Sequence, residues 1–427
     1  MDLVALKKSV QNCPCGKEHR FDLKALEVDS GNLNRVGEIL SANGFPKRIL
    51  VVADNNSLRV SNGIIENLID SGFTVEMRVY DDMKEARMEE VDELRILLRR
   101  VDGILSVGSG SCNDICRYST FLENKAFAIF ATAPSMDGFA SDGAPILKNG
   151  FKISYQCHQP SIIIADTKIL AKAPKVLKQA GFGDMMAKFI AMADWRIANI
   201  VHGDYICPKV MELVRRALSE IVELAPYVSC DDERAVKAIM ESLVLSGLCM
   251  QFTNTSRPAS GAEHVVSHFW ECKKIERGEF ADYHGKKVGV STLMIAKIYH
   301  KVADMENVVA RKENLDWDKI KEAYGPALTP EMMSLNTPTI TEEIDPSVIT
   351  ENWQEIRRAI KEEIPSVTEL ERLYALAGAT TSIYDIKVDK KLCDDGLVYH
   401  PFMRKRVNLT RLLPMLGLDI LDLYYND

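Results

Sequence analysis

Two histidines, His264 and His268, stand four residues apart in the stretch SRPASGAEHVVSHFW, which covers residues 256–270. Residues at this spacing share one face of a helix, so both imidazoles would project to the same side. Only eight histidines occur among the 427 residues. Either the helix is part of the core and its histidines have backbone partners, or the imidazoles converge on a metal, a proton or a substrate. The spacing alone leaves both interpretations open.

Other candidate ligands occur on either side of this stretch. Asp184 in GFGDMMAK is expected in the opening turn of a helix, and His284 in DYHGKKVGV stands beside a glycine. One carboxylate together with imidazoles suits zinc, iron, nickel or manganese. No compact motif such as H-E-x-x-H is present, and Asp184 alone could be a helix cap. A metal site and purely structural roles are therefore both compatible with these residues.

A glycine-containing turn in the first half could bind phosphate. SVGSGSCND follows the strand-like GILSV and precedes a helical pattern, which places Gly108, Ser109 and Gly110 where a strand turns into a helix. Backbone N–H groups at such a helix start can hold a pyrophosphate, and glycine permits its close approach. The turn does not match the dinucleotide motif G-x-G-x-x-G, so an ordinary strand-to-helix turn is an equal alternative.

Two acidic residues follow other strand-like segments. Asp137 lies in ATAPSMDGFASDGAP, a loop rich in small and hydroxylated residues at a strand end, and such loops form the usual ligand edge of an open sheet. Asp54 ends RILVVAD, where it could accept hydrogen bonds from a ribose. The alternative for the second position is a helix N-cap at Asp54, Asn55 or Asn56.

The pattern of apolar residues predicts the elements that hold these side chains. Short apolar strands alternate with helical segments such as MKEARMEEVDELRILLRR, which predicts a mostly parallel sheet covered by helices. The predicted strands are residues 48–54, 73–80, 103–107, 126–131 and 161–166. LKNGFKISYQ predicts a hairpin with its turn at Asn149-Gly150.

After about residue 174 the strand signals stop, and long helical patterns follow. They include a predicted helix start at Thr329-Pro330 and a capping box at Ser366 and Glu369. We therefore predict an α/β domain over residues 1–174 and an all-helical domain over residues 175–427.

Composition excludes several classes of function. Hydrophobic residues make up 46% and charged residues 27% of the chain, as in ordinary globular proteins. A net charge of −8 with no basic patch argues against nucleic acid as a partner. Neither a signal-like N-terminus nor a run of 18 apolar residues is evident, so secretion and membrane spanning are not expected. The ten scattered cysteines predict reduced thiols in a cytoplasm.

Five motifs in one order resemble those of glycerol-1-phosphate dehydrogenases: GSGSCND, ATAPSMDGFAS, GFGDMMAK, SRPASGAEHVVSH and HGKKVGV. These enzymes are related to iron-type alcohol dehydrogenases, glycerol dehydrogenase and 3-dehydroquinate synthase, and the bacterial branch is most similar. The resemblance covers about residues 30–310. It implies a Rossmann-like domain followed by a helical domain, the dehydroquinate synthase-like fold.

The resemblance also implies a role for each matching residue. The NAD(H) or NADP(H) pyrophosphate would lie on Gly108, Ser109, Gly110, Ser111 and Cys112, and the cofactor would also be lined by Thr132, Ala133, Pro134, Ser135 and Ser141. One divalent metal (zinc, nickel or iron) would be bound by Asp184, His264 and His284. Asp137, Asp184 and His268 would contact the substrate, with His268 and Asp137 catalytic.

The chain departs from its relatives at several positions. Many relatives have three consecutive glycines where Gly108-Ser109-Gly110 stands here, and Ser109 is small enough for the same role. Iron-type alcohol dehydrogenases have a histidine at the position of Lys188, which here would pair with a phosphate or, by a slight preference, with a carboxylate. The loop typical of dehydroquinate synthase is replaced by MDGFASDGAP.

The N-terminal CPCGKEH lies outside the shared region. Its Cys13, Cys15 and His19 could contribute to a second zinc site, but the motif offers only three ligands. The preferred interpretation is a flexible arm that carries thiols.

The predicted function is metal-dependent, reversible reduction of dihydroxyacetone phosphate to sn-glycerol 1-phosphate, a step of phospholipid metabolism. Asp54 favours NADH over NADPH, because its charge would repel a 2′-phosphate. Relatives imply a homodimer. Alternatives are a glycerol dehydrogenase-like polyol oxidoreductase, a dehydroquinate synthase-like carbocyclising lyase, and a catalytically silent NAD-binding regulator. The intact set of Asp184, His264, His268 and His284 argues against the regulator.

Overall fold

A computed structural model describes residues 1–148 and 151–426. The chain forms two compact units, one of Met1–Met185 with Glu212–Asn254, the other of Met186–Met211 with Thr255–Asp427. The strands are β1 Ala25–Asp29, β2 Arg48–Asp54, β3 Thr74–Tyr80, β4 Gly103–Gly108, β5 Ala126–Ala131, β6 Gly143–Lys148, β7 Phe151–Gln156 and β8 Ile162–Asp166.

The helices account for most of the remaining chain. Those up to the middle of the chain are α1 Leu3–Val10, α2 Val36–Ala42, α3 Asn55–Val60, α4 Ile64–Asp70, α5 Met88–Leu97, α6 Gly110–Leu122, α7 Thr167–Ala171, α8 Lys175–Met186, α9 Lys188–His202, α10 Pro208–Leu224 and α11 Glu233–Thr253. The later ones are α12 Ala262–Glu276, α13 His284–Asp304, α14 Trp317–Leu335, α15 Pro346–Glu351, α16 Trp353–Glu363, α17 Val367–Ala377, α18 Lys390–Tyr399, α19 Leu409–Leu416 and α20 Ile420–Tyr425.

The first unit is built on a six-stranded parallel sheet with strand order β1-β8-β5-β4-β2-β3. Its central strands are apolar and almost wholly buried, as expected of a parallel sheet covered on both faces. The chain passes from β2 outward to β3 and then returns to β4 on the other side of β2. This reversal is a topological switch point, and ligands bind at the carboxyl ends of the strands there.

The predicted parallel sheet is confirmed, although the prediction missed one of its strands. Of the predicted hairpin, the two strands are described but the turn is not. β1 escaped prediction because ALEVD is short and has a charged residue at its centre. β6 and β7 pair antiparallel as the hairpin pattern predicts. Its turn, Asn149-Gly150, lies outside the described residues.

The second unit contains no strand among its described residues. The expected helix start at Thr329-Pro330 is wrong: both residues lie inside α14, whose break is at Gly325 with φ 73°. Pro326 follows that glycine, and Thr329 donates its hydroxyl to the Gly325 carbonyl at 2.6 Å. Ser366 caps α17 by accepting from the Glu369 N–H, but the Glu369 carboxylate binds Arg372 and not the cap backbone.

Helix α11 is long and apolar enough to cross a membrane by length and composition, and no other helix among the described residues is. Of its most apolar window, 78% is buried inside the protein. The central helix of a globular protein passes the same test, so this helix is weak support for a membrane span.

Candidate active site

The predicted phosphate-binding turn lies at the switch point. β4 ends at Gly108, and α6 begins at Gly110 with Ser109 as its N-cap. A Cβ added to Gly108 would come within 3.1 Å of the Cys112 Cβ, so the turn is packed closely against the helix start. The Cys112 thiol points inward to the Val52 carbonyl, and Ser111 donates its hydroxyl to the Lys84 carbonyl. The backbone N–H groups of this turn, more than its side chains, are therefore the groups suited to an anion.

Asp54 ends β2 beside this turn, and its N-cap alternative is realised. Its carboxylate accepts from the Ser57 N–H at 2.7 Å, and the Ser57 hydroxyl lies 3.0 Å from the Asp54 N–H, which completes a capping box. The second carboxylate oxygen accepts from the Met83 N–H at 3.2 Å. A cap occupies only part of a carboxylate's acceptor capacity, so a ribose contact is still compatible with this geometry.

The loop after β5 connects the turn to the carboxylate of α8. The Thr132 N–H donates to the Gly108 carbonyl at 3.0 Å, which ties the loop to the glycine turn. Further along, the Asp137 N–H donates to Oδ2 of Asp184 at 2.9 Å. Asp184 is fully buried, and the Asp137 carboxylate accepts from the Ser246 hydroxyl at 2.9 Å. The structure thus brings together the two acidic residues that the sequence predicted separately.

A glycine in α8 permits this connection. Gly181 contacts the Pro134 carbonyl so closely that an added Cβ would lie 2.0 Å from its oxygen. The remaining cofactor candidates lie in the same loop: Thr132, Ala133 and Ser135 are buried, whereas the partly exposed Ser141 is engaged locally with the Gly143 backbone at 3.0 Å.

The second unit brings together all three predicted histidines. His264 and His268 are on α12, and His284 is the first residue of α13. The ring centroids are 5.3 Å apart for His264 and His284, and 5.9 Å for His268 and His284. One ring nitrogen of His264 and one of His284 lie within 4.8 Å of each other, a separation that one metal ion can bridge. The packing of α12 against α13 therefore brings the three imidazoles together, as a metal or substrate site would require.

Glu263 fixes the orientation of His264. Its Oε1 lies 2.6 Å from Nδ1 of His264 and also accepts from the Gly261 N–H at 2.9 Å. An ionised carboxylate only accepts hydrogen bonds, so Nδ1 carries the proton and Nε2 presents its lone pair. Carboxylate–histidine pairs of this kind support metal ligands.

A second buried carboxylate supports the start of α12. Asp194 accepts from the Ala262 N–H at 2.8 Å and from the Tyr299 hydroxyl at 2.6 Å. Burial, with the charge of Glu263 adding to it, raises the pKa of Asp194 to about 7. A Cβ on Gly261 would lie 2.7 Å from an oxygen of each carboxylate, so this position accommodates only glycine.

His268 lies in the field of a cation that the sequence analysis missed. Burial, followed by the positive charge of Arg404, lowers the pKa of His268 well below its usual value. Arg406, two residues on, donates to the Ser260 carbonyl and the Ser256 hydroxyl at 2.8 Å each. These arginines lie far beyond the end of α12 in the sequence, so no local pattern connects them with the histidines. Lys188, the position where relatives have a histidine, is fully buried at the start of α9.

Comparison with known proteins agrees with this fold. The family model of iron-containing alcohol dehydrogenases matches residues 27–174. A probable glycerol dehydrogenase from Sinorhizobium meliloti superposes with a TM-score of 0.61 at 15% identity, over 95% of this chain and 96% of that one. The chain thus has the fold of the iron-containing alcohol dehydrogenase class.

Two sequence relatives are more specific. The glycerol-1-phosphate dehydrogenase [NAD(P)+] of Halalkalibacterium halodurans is 32% identical over 70% of this chain and 77% of that protein. The enzyme of the same name from Bacillus subtilis is 34% identical over 60% of this chain and 67% of that protein. The chain belongs to the glycerol-1-phosphate dehydrogenase family.

Replacing Glu263 with glutamine should weaken metal binding by roughly tenfold to a hundredfold, the usual effect of losing a carboxylate that orients a histidine ligand. Competition with a chromophoric chelator measures this affinity. Glu279→Gln, in an exposed position just after the same helix, is the matched control and should bind metal normally. Equal affinities for both variants would contradict the orienting role of Glu263.

Proposed function

We propose that the protein catalyses the reversible reduction of dihydroxyacetone phosphate to sn-glycerol 1-phosphate, with NADH or NADPH as the reductant. The observation that carries this proposal is the group of histidines on α12 and α13, with His264 oriented by Glu263, in a chain of the glycerol-1-phosphate dehydrogenase family. A catalytically silent NAD-binding regulator would have no need for such a supported ligand set.

The dinucleotide would bind at the carboxyl edge of the parallel sheet. The turn Gly108 to Cys112 would receive the pyrophosphate on its N–H groups at the start of α6. The loop residues Thr132, Ala133, Pro134, Ser135 and Ser141 would line the rest of the cofactor. Support comes from the short backbone bond between Thr132 and Gly108, which holds the two loops side by side.

Asp184, His264 and His284 would hold the divalent cation, as the family resemblance implies, and the types of their donor atoms fit this role. His264 offers Nε2 because Glu263 holds its Nδ1, and Asp184 is oriented through Oδ2 by the Asp137 N–H. Three protein ligands are typical of a catalytic site, in which positions for substrate remain. This set of one carboxylate and two imidazoles accepts zinc, nickel or iron.

The residues of the chain would position the substrate and move its proton. When bound, the cation stabilises negative charge on the substrate oxygen while the dinucleotide supplies the hydride. His268, neutral at neutral pH, would relay the proton that the product alcohol needs: one ring nitrogen gives its hydrogen to the substrate oxygen, directly or through water, while the other ring nitrogen takes up a proton from solvent. Asp137 would contact the substrate from the loop after β5. Arg404, whose positive charge lowers the pKa of His268, would attract the dianionic phosphate.

The direct test is NADH oxidation by metal-reconstituted protein. Dihydroxyacetone phosphate should be the substrate, while dihydroxyacetone, glycerol and glycerol 3-phosphate should give little turnover. Preference for glycerol would favour a polyol dehydrogenase, and phosphate release without net NADH consumption would favour a carbocyclising lyase. Absence of turnover with all of these compounds would contradict the proposal.

Arg404→Ala should raise KM for dihydroxyacetone phosphate by roughly tenfold to a hundredfold, since a hydrogen bond to a charged group contributes about 1.5–3 kcal/mol. The residual rate with unphosphorylated dihydroxyacetone should be unchanged, because that substrate lacks the group that Arg404 would bind. Lys405→Ala is the matched control, since the neighbouring Lys405 is paired with Glu343 at 2.8 Å. Equal losses for both ketones would assign Arg404 a purely structural role.

Asp54→Asn should raise the NADPH-to-NADH preference by about fivefold, since removing a charge near the 2′-phosphate is worth on the order of 1 kcal/mol. Asparagine caps helices nearly as well as aspartate, so thermal stability should change little. Ser57→Ala breaks the capping box without altering charge, and should lower stability while leaving cofactor preference as it was. A wild type that strongly prefers NADPH would already exclude this role for Asp54.

We further propose a cytoplasmic homodimer acting in phospholipid metabolism, in keeping with the reduced cysteines. The ion partner of Lys188, whether substrate phosphate or a carboxylate, stays a prediction of the sequence.

A further inference from the structure

The N-terminal CPCGKEH segment is folded into a compact group of potential ligands. The Gly16 N–H donates to the Cys13 carbonyl at 3.3 Å, and Gly16 takes the left-handed conformation with φ +80°. This turn brings Cys13, Cys15 and His19 together, with one ligand atom of each within 4.8 Å of the others. The expected flexible arm is therefore replaced by a defined turn.

His19 is anchored in one orientation. Its side chain is buried, and Nδ1 lies 2.8 Å from the Phe252 carbonyl at the end of α11. A carbonyl only accepts hydrogen bonds, so Nδ1 carries the proton and the lone pair is on Nε2. Nε2 faces the sulfur of Cys15 at 3.3 Å.

This geometry is close to that of two ligands on one zinc ion. With Zn–S about 2.3 Å, Zn–N about 2.0–2.1 Å and tetrahedral angles, sulfur and nitrogen would be about 3.6 Å apart. A backbone carbonyl that holds the other ring nitrogen is the usual support of a ligating histidine. A thiol–imidazole hydrogen bond would explain the contact between Cys15 and His19. It would not explain why the Cys13 sulfur also lies close to both.

We propose that Cys13, Cys15 and His19 bind a zinc ion, separate from the cation of the proposed dehydrogenase site. Two thiolates and one imidazole select zinc over magnesium, calcium or manganese. Because the Phe252 carbonyl holds the ring of His19, this ion would tie the N-terminal segment to the end of α11.

Cobalt substitution tests the site in the full-length protein. Thiolate ligands give cobalt(II) intense charge-transfer absorption in the near ultraviolet, and the proposed dehydrogenase site contributes no thiolate. The wild type should show these bands, and zinc analysis should find two ions per chain after zinc reconstitution. His264→Ala should keep one zinc and the bands, which separates this site from the proposed function.

Variants of the ligands should lose this ion selectively. Cys13→Ser and Cys15→Ser should each lose one zinc per chain and the charge-transfer bands, whereas Cys230→Ser, at an exposed cysteine outside the group, should keep both. Wild-type protein without thiolate bands after cobalt reconstitution would overturn the proposal. This outcome does not depend on whether the variants fold. A folded Cys15→Ser protein with unchanged zinc content would also overturn the proposal.

Discussion

Replacing His264 with alanine is expected to leave the protein without its catalytic cation and to lower kcat/KM for dihydroxyacetone phosphate by on the order of 10³-fold. The reason is that a Lewis acid contributes several kcal/mol to stabilising the developing negative charge, and each 1.4 kcal/mol is about tenfold in rate. Asp184→Ala and His284→Ala should have the same effect, and chelation should abolish turnover. Metal analysis beside steady-state rates measures both losses.

The control for this experiment is His300, a histidine of α13 that lies outside the proposed metal site. His300 hydrogen-bonds to the Pro365 carbonyl at 2.9 Å and is not among the proposed ligands, so His300→Ala should keep metal and rate. NADH binding by His264→Ala should be nearly normal, because the dinucleotide-binding turn belongs to the other compact unit. Full activity in a rigorously metal-free preparation would exclude the proposed mechanism.

His268→Ala should separate proton delivery from metal binding. This variant is expected to keep its metal in full yet to lose roughly 10²-fold or more in rate, the effect of removing a positioned proton-transfer group. The two histidines share a helical face, but only His264 has a carboxylate on its Nδ1 among the described contacts. Metal content and rate should therefore both fall in His264→Ala, whereas only the rate should fall in His268→Ala.

The opposite result would be equally clear. A folded His268→Ala protein that contains no metal would make His268 a ligand, and the three-ligand site would be wrong. Circular dichroism and NADH binding confirm that the variant is folded before its metal is counted.

The sheet was predictable because its strands are continuous apolar runs bounded by turn residues. β2, β4, β5 and β8 are buried on both faces, and such strands differ strongly from the charged helices between them. β1 was missed because its pattern is short. The break in α14 was misplaced because Gly325-Pro326 and Pro330 are both able to break a helix. When two such signals lie close together, the sequence does not say at which of them the helix breaks.

The supporting residues of the site were harder to predict. Glu263 is adjacent to His264, so a signal was present, but neighbouring residues on a helix normally point in different directions. Their contact arises because both lie in the first turn, where Glu263 also binds the backbone of Gly261. Asp194 binds the start of α12 and the charge of Arg404 acts on His268 from distant parts of the chain, and one sequence contains no local pattern for such interactions.

The two glycines of α8 connect the position of the Asp184 carboxylate with the folding of its unit. Gly181 and Gly183 together cost an isolated helix about 2 kcal/mol relative to alanine, so KVLKQAGFGDMM is a poor helix by itself. We expect it to become helical only when the sheet and the loop after β5 supply the Pro134 contact and the Asp137 hydrogen bond. In a folding intermediate with helices but no ordered sheet, the Asp184 carboxylate would therefore not be in its native position. This proposed metal ligand should form in the same cooperative transition as the sheet, and hydrogen exchange in α8 should follow the global unfolding of that unit.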